Sequence, residues 1–141
     1  MNLVAVLDLW ARAGVTIRAG ASEAQIATLV SRSPYPIPAS FLRYLRSVDG
    51  IDLGEWGPES IRFWPLEEIL ESMELDVDAR CIYLGFADYL LNSEVFYVRL
   101  DSRTDQIVIR IESGDRLIAP SLDDFMTLYV TDPAAVLLLC R

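Results

Sequence analysis

The chain has no histidine and no lysine, and its 141 residues include only two cysteines, Cys81 and Cys140. Without histidine, Ser-His-Asp triads, imidazole acid–base catalysis and histidine-ligated metal sites are excluded. Without lysine there is no Schiff-base chemistry. Cys81 and Cys140 form neither a Cys-x-x-Cys pair nor a disulfide framework, which suits a reducing compartment. Long apolar runs are also missing. Ala134 to Leu139 is far shorter than the ~20 residues needed to span a bilayer. Leu3 to Leu7 is interrupted by Asp8 and follows no basic residue, so it lacks a signal-peptide pattern. The location expected is cytoplasmic, with no membrane contact.

Arginine supplies all 12 basic side chains, against 21 acidic ones, for a formal charge of -9. An acidic surface repels phosphate backbones and anionic lipid, so direct nucleic-acid binding is disfavoured, and it steers basic proteins toward itself. For any single carboxylate, a solvated solubility role is the competing reading. With 52% apolar residues, the chain has material for one domain over residues 1–141, burying roughly 70% of its unfolded surface without disulfide or metal.

Periodicity places the elements. Leu3, Val6, Leu7 and Trp10 predict an amphipathic helix over Asn2 to Ala13, closed by Gly14. Val15 to Arg18 reads as extended. Ser22-Glu23-Ala24-Gln25 is a capping box, opening a helix with Ile26, Leu29 and Val30 on one face. Pro34, Pro36 and Pro38 impose an extended entry into a third helix. Phe41, Leu42, Leu45 and Val48 line its inner side, Arg43 and Arg46 point outward, and Gly50 stops it. Ser60 to Phe63 alternates as a strand. Pro65 starts an acidic helix reaching Glu74, with Leu66, Ile69, Leu70 and Met73 inward. Cys81 to Phe86 reads as a central strand buried on both faces. Val95 to Asp101 and Gln106 to Glu112 form a hairpin, and Leu117 to Ala119 a brief strand. Ser121 caps a helix packing Leu122, Phe125, Met126 and Tyr129, and Asp132-Pro133 begins a last one. The fold class is α+β, a largely antiparallel sheet packed with helices.

This order resembles the SUKH superfamily, which includes bacterial toxin-immunity proteins and regulators of cell-wall synthesis. Glu23, Ile37-Pro38, Phe41, Leu45 and Asp49-Gly50 stand where the family has an acidic helix residue, Leu-Pro, an apolar helix and Asn-Gly. Pro65 to Ile69, Ile82 to Phe86, Val95 to Asp101 and Ala119 to Phe125 resemble its later elements. The likeness covers residues 22–131 and departs from the pattern at Ile37, Asp49 and Pro120. It implies an inhibitor that binds a cognate toxin, often a nuclease, and it implies no catalytic residues and no cofactor.

Two surfaces are candidates for binding a basic protein. The first is the run Glu67, Glu68, Glu71, Glu74, Asp76 and Asp78 on and after the acidic helix. Glu67 and Glu68 suit the helix N-terminus, whereas acids in its last turn cost ~0.3 to 1 kcal/mol each. A merely solvated face is the alternative. Catalysis by Glu67 and Glu71, which share a face at i and i+4, ranks well below that. The second surface joins Glu55, Trp56 and Glu59 to Tyr89, Leu90 and Leu91, with Trp56 read either as an interface anchor or as a lid on the core. Arg99 and Arg110 are expected to pair with carboxylates on one sheet surface. A toxin-neutralising immunity protein is the function expected, with a regulatory scaffold domain as the alternative and an acid-rich hydrolase as a remote third.

Overall fold

A computed structural model describes residues 1–52, 54–90 and 92–141. Helix α1 (Leu3–Arg12) is followed by the short strand β1 (Ile17–Ala19), the consecutive helices α2 (Glu23–Arg32) and α3 (Ala39–Ser47), and the short strand β2 (Val48–Ile51). A 3-10 turn at Pro58–Ser60 leads to β3 (Ile61–Phe63), α4 (Leu66–Ser72) and β4 (Glu74–Asp76). Strands β5 (Cys81–Tyr89), β6 (Glu94–Leu100), β7 (Asp105–Ile111) and β8 (Gly114–Ala119) follow, and α5 (Leu122–Thr131) and α6 (Pro133–Leu138) end the chain. The result is a single α+β domain. β1 and β2 pair by themselves, and the main sheet runs β3-β5-β6-β7-β8, antiparallel throughout.

β5 organises this sheet. β6 occupies one of its edges from Ile82 to Tyr89, so β3 and β4 must share the other, at opposite ends. The gap between them is bridged by the chain around α4. Gly85 N–H donates to Ser72 Oγ (2.9 Å), and Trp64 N–H donates to Phe86 O (2.8 Å). A bulge at this point turns both Phe86 and Ala87 into the main core, where the helices cover them. Phe63 sits at the centre of that core, with the rings of Trp10, Tyr44, Phe86, Phe125 and Tyr129 at centroid separations from 4.9 to 6.5 Å. Trp10 is fully buried, and its indole N–H is satisfied by Tyr129 Oη at 2.9 Å.

The capping box at Ser22 and Gln25 forms as expected, and so does the Ser121 cap of α5. Other boundaries differ from the sequence reading. Val30 is 47% exposed, because only Ile26 and Leu29 of α2 reach the core. α3 ends at Ser47, and Val48 pairs with Ala19 in a strand instead of extending the helix. Gly50 is therefore no helix terminator. It has φ +72 within β2, and a Cβ there would lie 2.6 Å from the Trp64 carbonyl carbon and 2.7 Å from the carbonyl oxygens of Phe63 and Trp64. Asp49 beside it is buried, its Oδ1 accepting the Leu66 N–H at 2.6 Å and its Oδ2 lying 3.5 Å from Arg18 Nη2. The acidic helix is shorter than predicted: α4 ends at Ser72, and Glu74 and Asp76 belong to β4, paired with Tyr83 and Cys81. No helix of the described residues is long and apolar enough to cross a membrane.

Gly50→Ala combines left-handed strain with a backbone clash, and it should destabilise by about 2 to 4 kcal/mol. Asp49→Asn, which keeps the acceptor for Leu66, should cost less than Asp49→Ala; urea unfolding midpoints order the three. In the β6–β7 turn, Asp101 accepts the N–H groups of Arg103 (2.8 Å) and Thr104 (2.7 Å), and these hold its carboxyl below the ordinary range. A depressed folded-state value adds stability above the unfolded carboxyl pKa of about 3.9, and that stability is lost as pH falls through the folded value. The stability gap between wild type and Asp101→Asn should therefore narrow as pH is lowered from about 6 through about 3.

Candidate functional site

The six acids of the first surface separate by partner. Arg62 on β3 is buried and reaches Glu68 through two parallel bonds, Nη1 to Oε2 at 3.0 Å and Nη2 to Oε1 at 2.8 Å. Its Nε lies 3.7 Å from Asp88 Oδ1 on the neighbouring strand β5. Asp88 is 1% exposed. Burial pushes its carboxyl upward, while the Arg62 charge and the Asn92 N–H, which donates to Oδ2 at 3.2 Å, pull it down. Glu68 is thereby committed to a structural ion cluster. Glu74 is committed too, since it pairs with Arg110, whose guanidinium lies 4.2 Å from the Tyr83 ring centroid. Asp76 Oδ1 accepts the Ala79 N–H at 3.0 Å and shapes the turn before β5.

Glu67, Glu71 and Asp78 remain exposed, with no ion pair or side-chain hydrogen bond among the described residues. The helix-terminus cost expected for Glu74, Asp76 and Asp78 does not arise, because none of them lies in a helix. Among these acids the structure presents two apolar side chains that the sequence reading passed over, Leu75 at 54% exposure and Val77 at 73%. Glu74-Leu75-Asp76-Val77-Asp78 alternates acid and apolar residues with period two, a strand signal that the run of carboxylates obscured.

Leu75 pairs with Ile82, which is buried on the helix-covered face of the sheet. Cross-strand partners project to the same face, so Leu75 points where the helical layer has run out. The corner thus combines an uncovered apolar pair with three free carboxylates.

The second surface is brought together only in part. Leu90 N–H donates to Ser60 O at 3.2 Å, and Ile61 pairs with Tyr89, so the Pro58–Ser60 turn and the β5–β6 turn adjoin. Glu59, Ser60, Leu90 and Asn92 all hold positive φ, a costly backbone state for side chains of this size. Glu55 is half-buried and takes a structural role, accepting the Thr16 N–H at 3.1 Å. Trp56 is half-buried, Glu59 and Leu90 are exposed, and Leu91 lies outside the described residues. Arg99 bridges Asp101 (3.1 Å) and Asp115 (3.2 Å), and Asp115 also accepts from Tyr83 Oη at 2.7 Å. Both Arg99 and Arg110 therefore stiffen the sheet surface by pairing.

Among the described residues, no group of three or more His, Cys, Asp or Glu is placed to hold a metal ion. A cavity of about 290 Å³ lined by Tyr89, Glu94, Leu137 and Cys140 sits just under the ~300 to 1,000 Å³ typical of small-molecule sites. In it, burial pushes the Cys140 thiol up to about 11, away from nucleophile chemistry. No family model matches the chain, and no curated protein gives a significant match.

The partner sorting predicts a division within one seven-residue helix. Glu68→Gln strips the paired charge from buried Arg62 and should cost about 1 to 3 kcal/mol in urea unfolding. Glu67→Gln and Glu71→Gln should stay within about 0.5 kcal/mol of wild type.

Proposed function

We propose that the protein is a stoichiometric inhibitor of a basic protein, acting as an immunity protein against a cognate toxin. The observation that carries this reading is the α4–β4 segment, where exposed Glu67, Glu71 and Asp78 flank exposed Leu75 and Val77 along the chain. A solvated acidic face accounts for the carboxylates but not for the two neighbouring apolar side chains. An interface accounts for both, with an apolar centre that excludes water and a charged rim that steers and orients the partner.

The order of sequence elements resembling the SUKH superfamily supports the immunity role, and the α+β fold is compatible with it. A charge of -9 favours fast capture, with association rates of order 10⁸ to 10⁹ M⁻¹s⁻¹ at low salt for steered pairs. Where the partner is a nuclease, free carboxylates on this corner suit the positions that substrate phosphates occupy, so occlusion and charge mimicry act together.

The test is co-expression with the product of the adjacent reading frame, read as growth rescue and co-purification at low and high salt. Rescue with a one-to-one, salt-sensitive complex is the expected result. The triple variant Glu67→Gln, Glu71→Gln, Asp78→Asn should weaken that complex about tenfold or more, chiefly by slowing association. A harmless neighbour that forms no complex overturns the immunity role and leaves a scaffold domain for an endogenous partner.

A further inference from the structure

We infer that β4 is a docking strand, onto whose open edge an extended basic segment of the partner adds as a further strand of the sheet. This rests on the protein-binding reading above and specifies how that corner binds. β4 pairs with β5 along one side through Glu74, Leu75 and Asp76. Outside that ladder, no main-chain group of these three residues is hydrogen-bonded within the described chain. An edge strand presents unpaired donors and acceptors, and a partner strand satisfies them while side-chain contacts supply specificity.

The side chains select the occupant. Leu75 on β4 and Val77 in the turn directly after it are both exposed, so an incoming strand meets apolar side chains at the edge and just beyond its end. Glu67 and Glu71 on α4, which leads into β4, and Asp78 in the following turn are exposed and carry negative charge with no ion pair among the described residues. Arg80, also exposed, is the cation at the far end of that turn. Glu74 contributes no free charge, since Arg110 neutralises it. A second copy of the chain is the wrong occupant: each copy carries a charge of -9, and Glu71 and Asp78 would face acidic surface. An alternating basic and apolar strand is the right one.

The opposite edge, β8, also shows an exposed apolar side chain, Leu117 at 52%. Its neighbours are already engaged, however. Asp115 holds Tyr83 and Arg99, and the Arg116 guanidinium donates to the Cys140 carbonyl at 2.7 Å. The charged side chains of β8 itself are therefore engaged and only Glu112 in the turn before it is an exposed acid, whereas three exposed acids flank β4 along the chain.

The probe is a fluorescein-labelled decapeptide of alternating Arg and Val, titrated into the intact protein. The same peptide N-methylated at alternate residues along its pairing edge, and an alternating Glu and Val peptide, serve as comparisons. The inference expects the N-methylated peptide to bind about tenfold more weakly and the acidic one not to bind. It also expects the β4 main-chain amides of the wild-type protein to gain hydrogen-exchange protection in the peptide complex. Leu75→Pro should abolish the preference for the unmethylated peptide while Leu75→Ala retains it; the exchange measurement stands if Leu75→Pro does not fold. Equal binding of the methylated peptide, or binding without protection at β4, overturns the docking strand. If the adjacent reading frame's product still binds in a manner sensitive to Glu67→Gln and Glu71→Gln while β4 stays unprotected, the inhibitor reading survives and strand addition does not. Loss of binding to both the peptide and that product overturns both.

Discussion

The Asp49-Gly50 step, clamped onto the main chain from Phe63 to Leu66, is the contact on which the rest of the structure depends. Gly50 lets two backbone segments approach more closely than any Cβ permits, and Asp49 supplies the carboxylate that caps α4 from a distant part of the chain. Pro65 offers no side-chain cap of its own. An end of a short helix with unsatisfied N–H groups is costly when buried, and one buried carboxylate removes part of that cost. Because α4 is set there, Ser72 meets the Gly85 amide at the β5 bulge, and the chain then turns into β4 at the far end of the same edge. The position of the candidate surface thus follows from a residue pair in the first half of the chain. Glu23 reinforces the same region by pairing with Arg46 at 3.0 Å, tying α2 to α3.

β5 is buried along nearly its whole length, yet Asp88 lies on it with almost no exposure. A lone carboxylate there would be driven neutral by desolvation. Arg62 on the adjacent strand opposes that shift, and Glu68 completes the charge balance from α4. Such a cluster is weak evidence for added stability, because desolving three charges offsets much of their attraction. Its clearer effect is geometric. Two parallel Arg–carboxylate bonds fix α4 against β3, which in turn fixes which carboxylates face solvent.

Much of the fold was legible in the sequence because local signals and tertiary packing agree. The capping box at Ser22, the stripe of Leu122, Phe125, Met126 and Tyr129, and the β6–β7 hairpin are each determined by neighbours in the chain. Gly50 was legible as a left-handed residue but not as a point of close approach, since what it meets is a backbone segment distant in sequence. Val48 carried helical spacing, but pairing with β1 overrode it. In the acidic segment, carboxylate density suggested one continuous face. Arg62, on the strand before α4, and Arg110, 36 residues from Glu74, had already claimed Glu68 and Glu74. The alternation around Leu75 and Val77 was present to be read, but a three-residue strand gives only a faint period-two signal.

This sorting also separates net charge from usable charge. Paired carboxylates such as Glu68, Glu74 and Asp115 have a cation within bonding distance, so their fields largely cancel at the range where a partner first senses the protein. At physiological ionic strength, fields are screened within about 8 Å, so distant surface acids also add little to a local encounter. On the inhibitor reading, what a partner would meet at the α4–β4 segment is set by a few unpaired side chains rather than by the charge of the whole chain. Those side chains stand beside apolar area that gains by leaving water. On that reading, long-range attraction and short-range burial would act on one segment, and a specific interface requires that coincidence where a uniformly acidic surface gives only solubility.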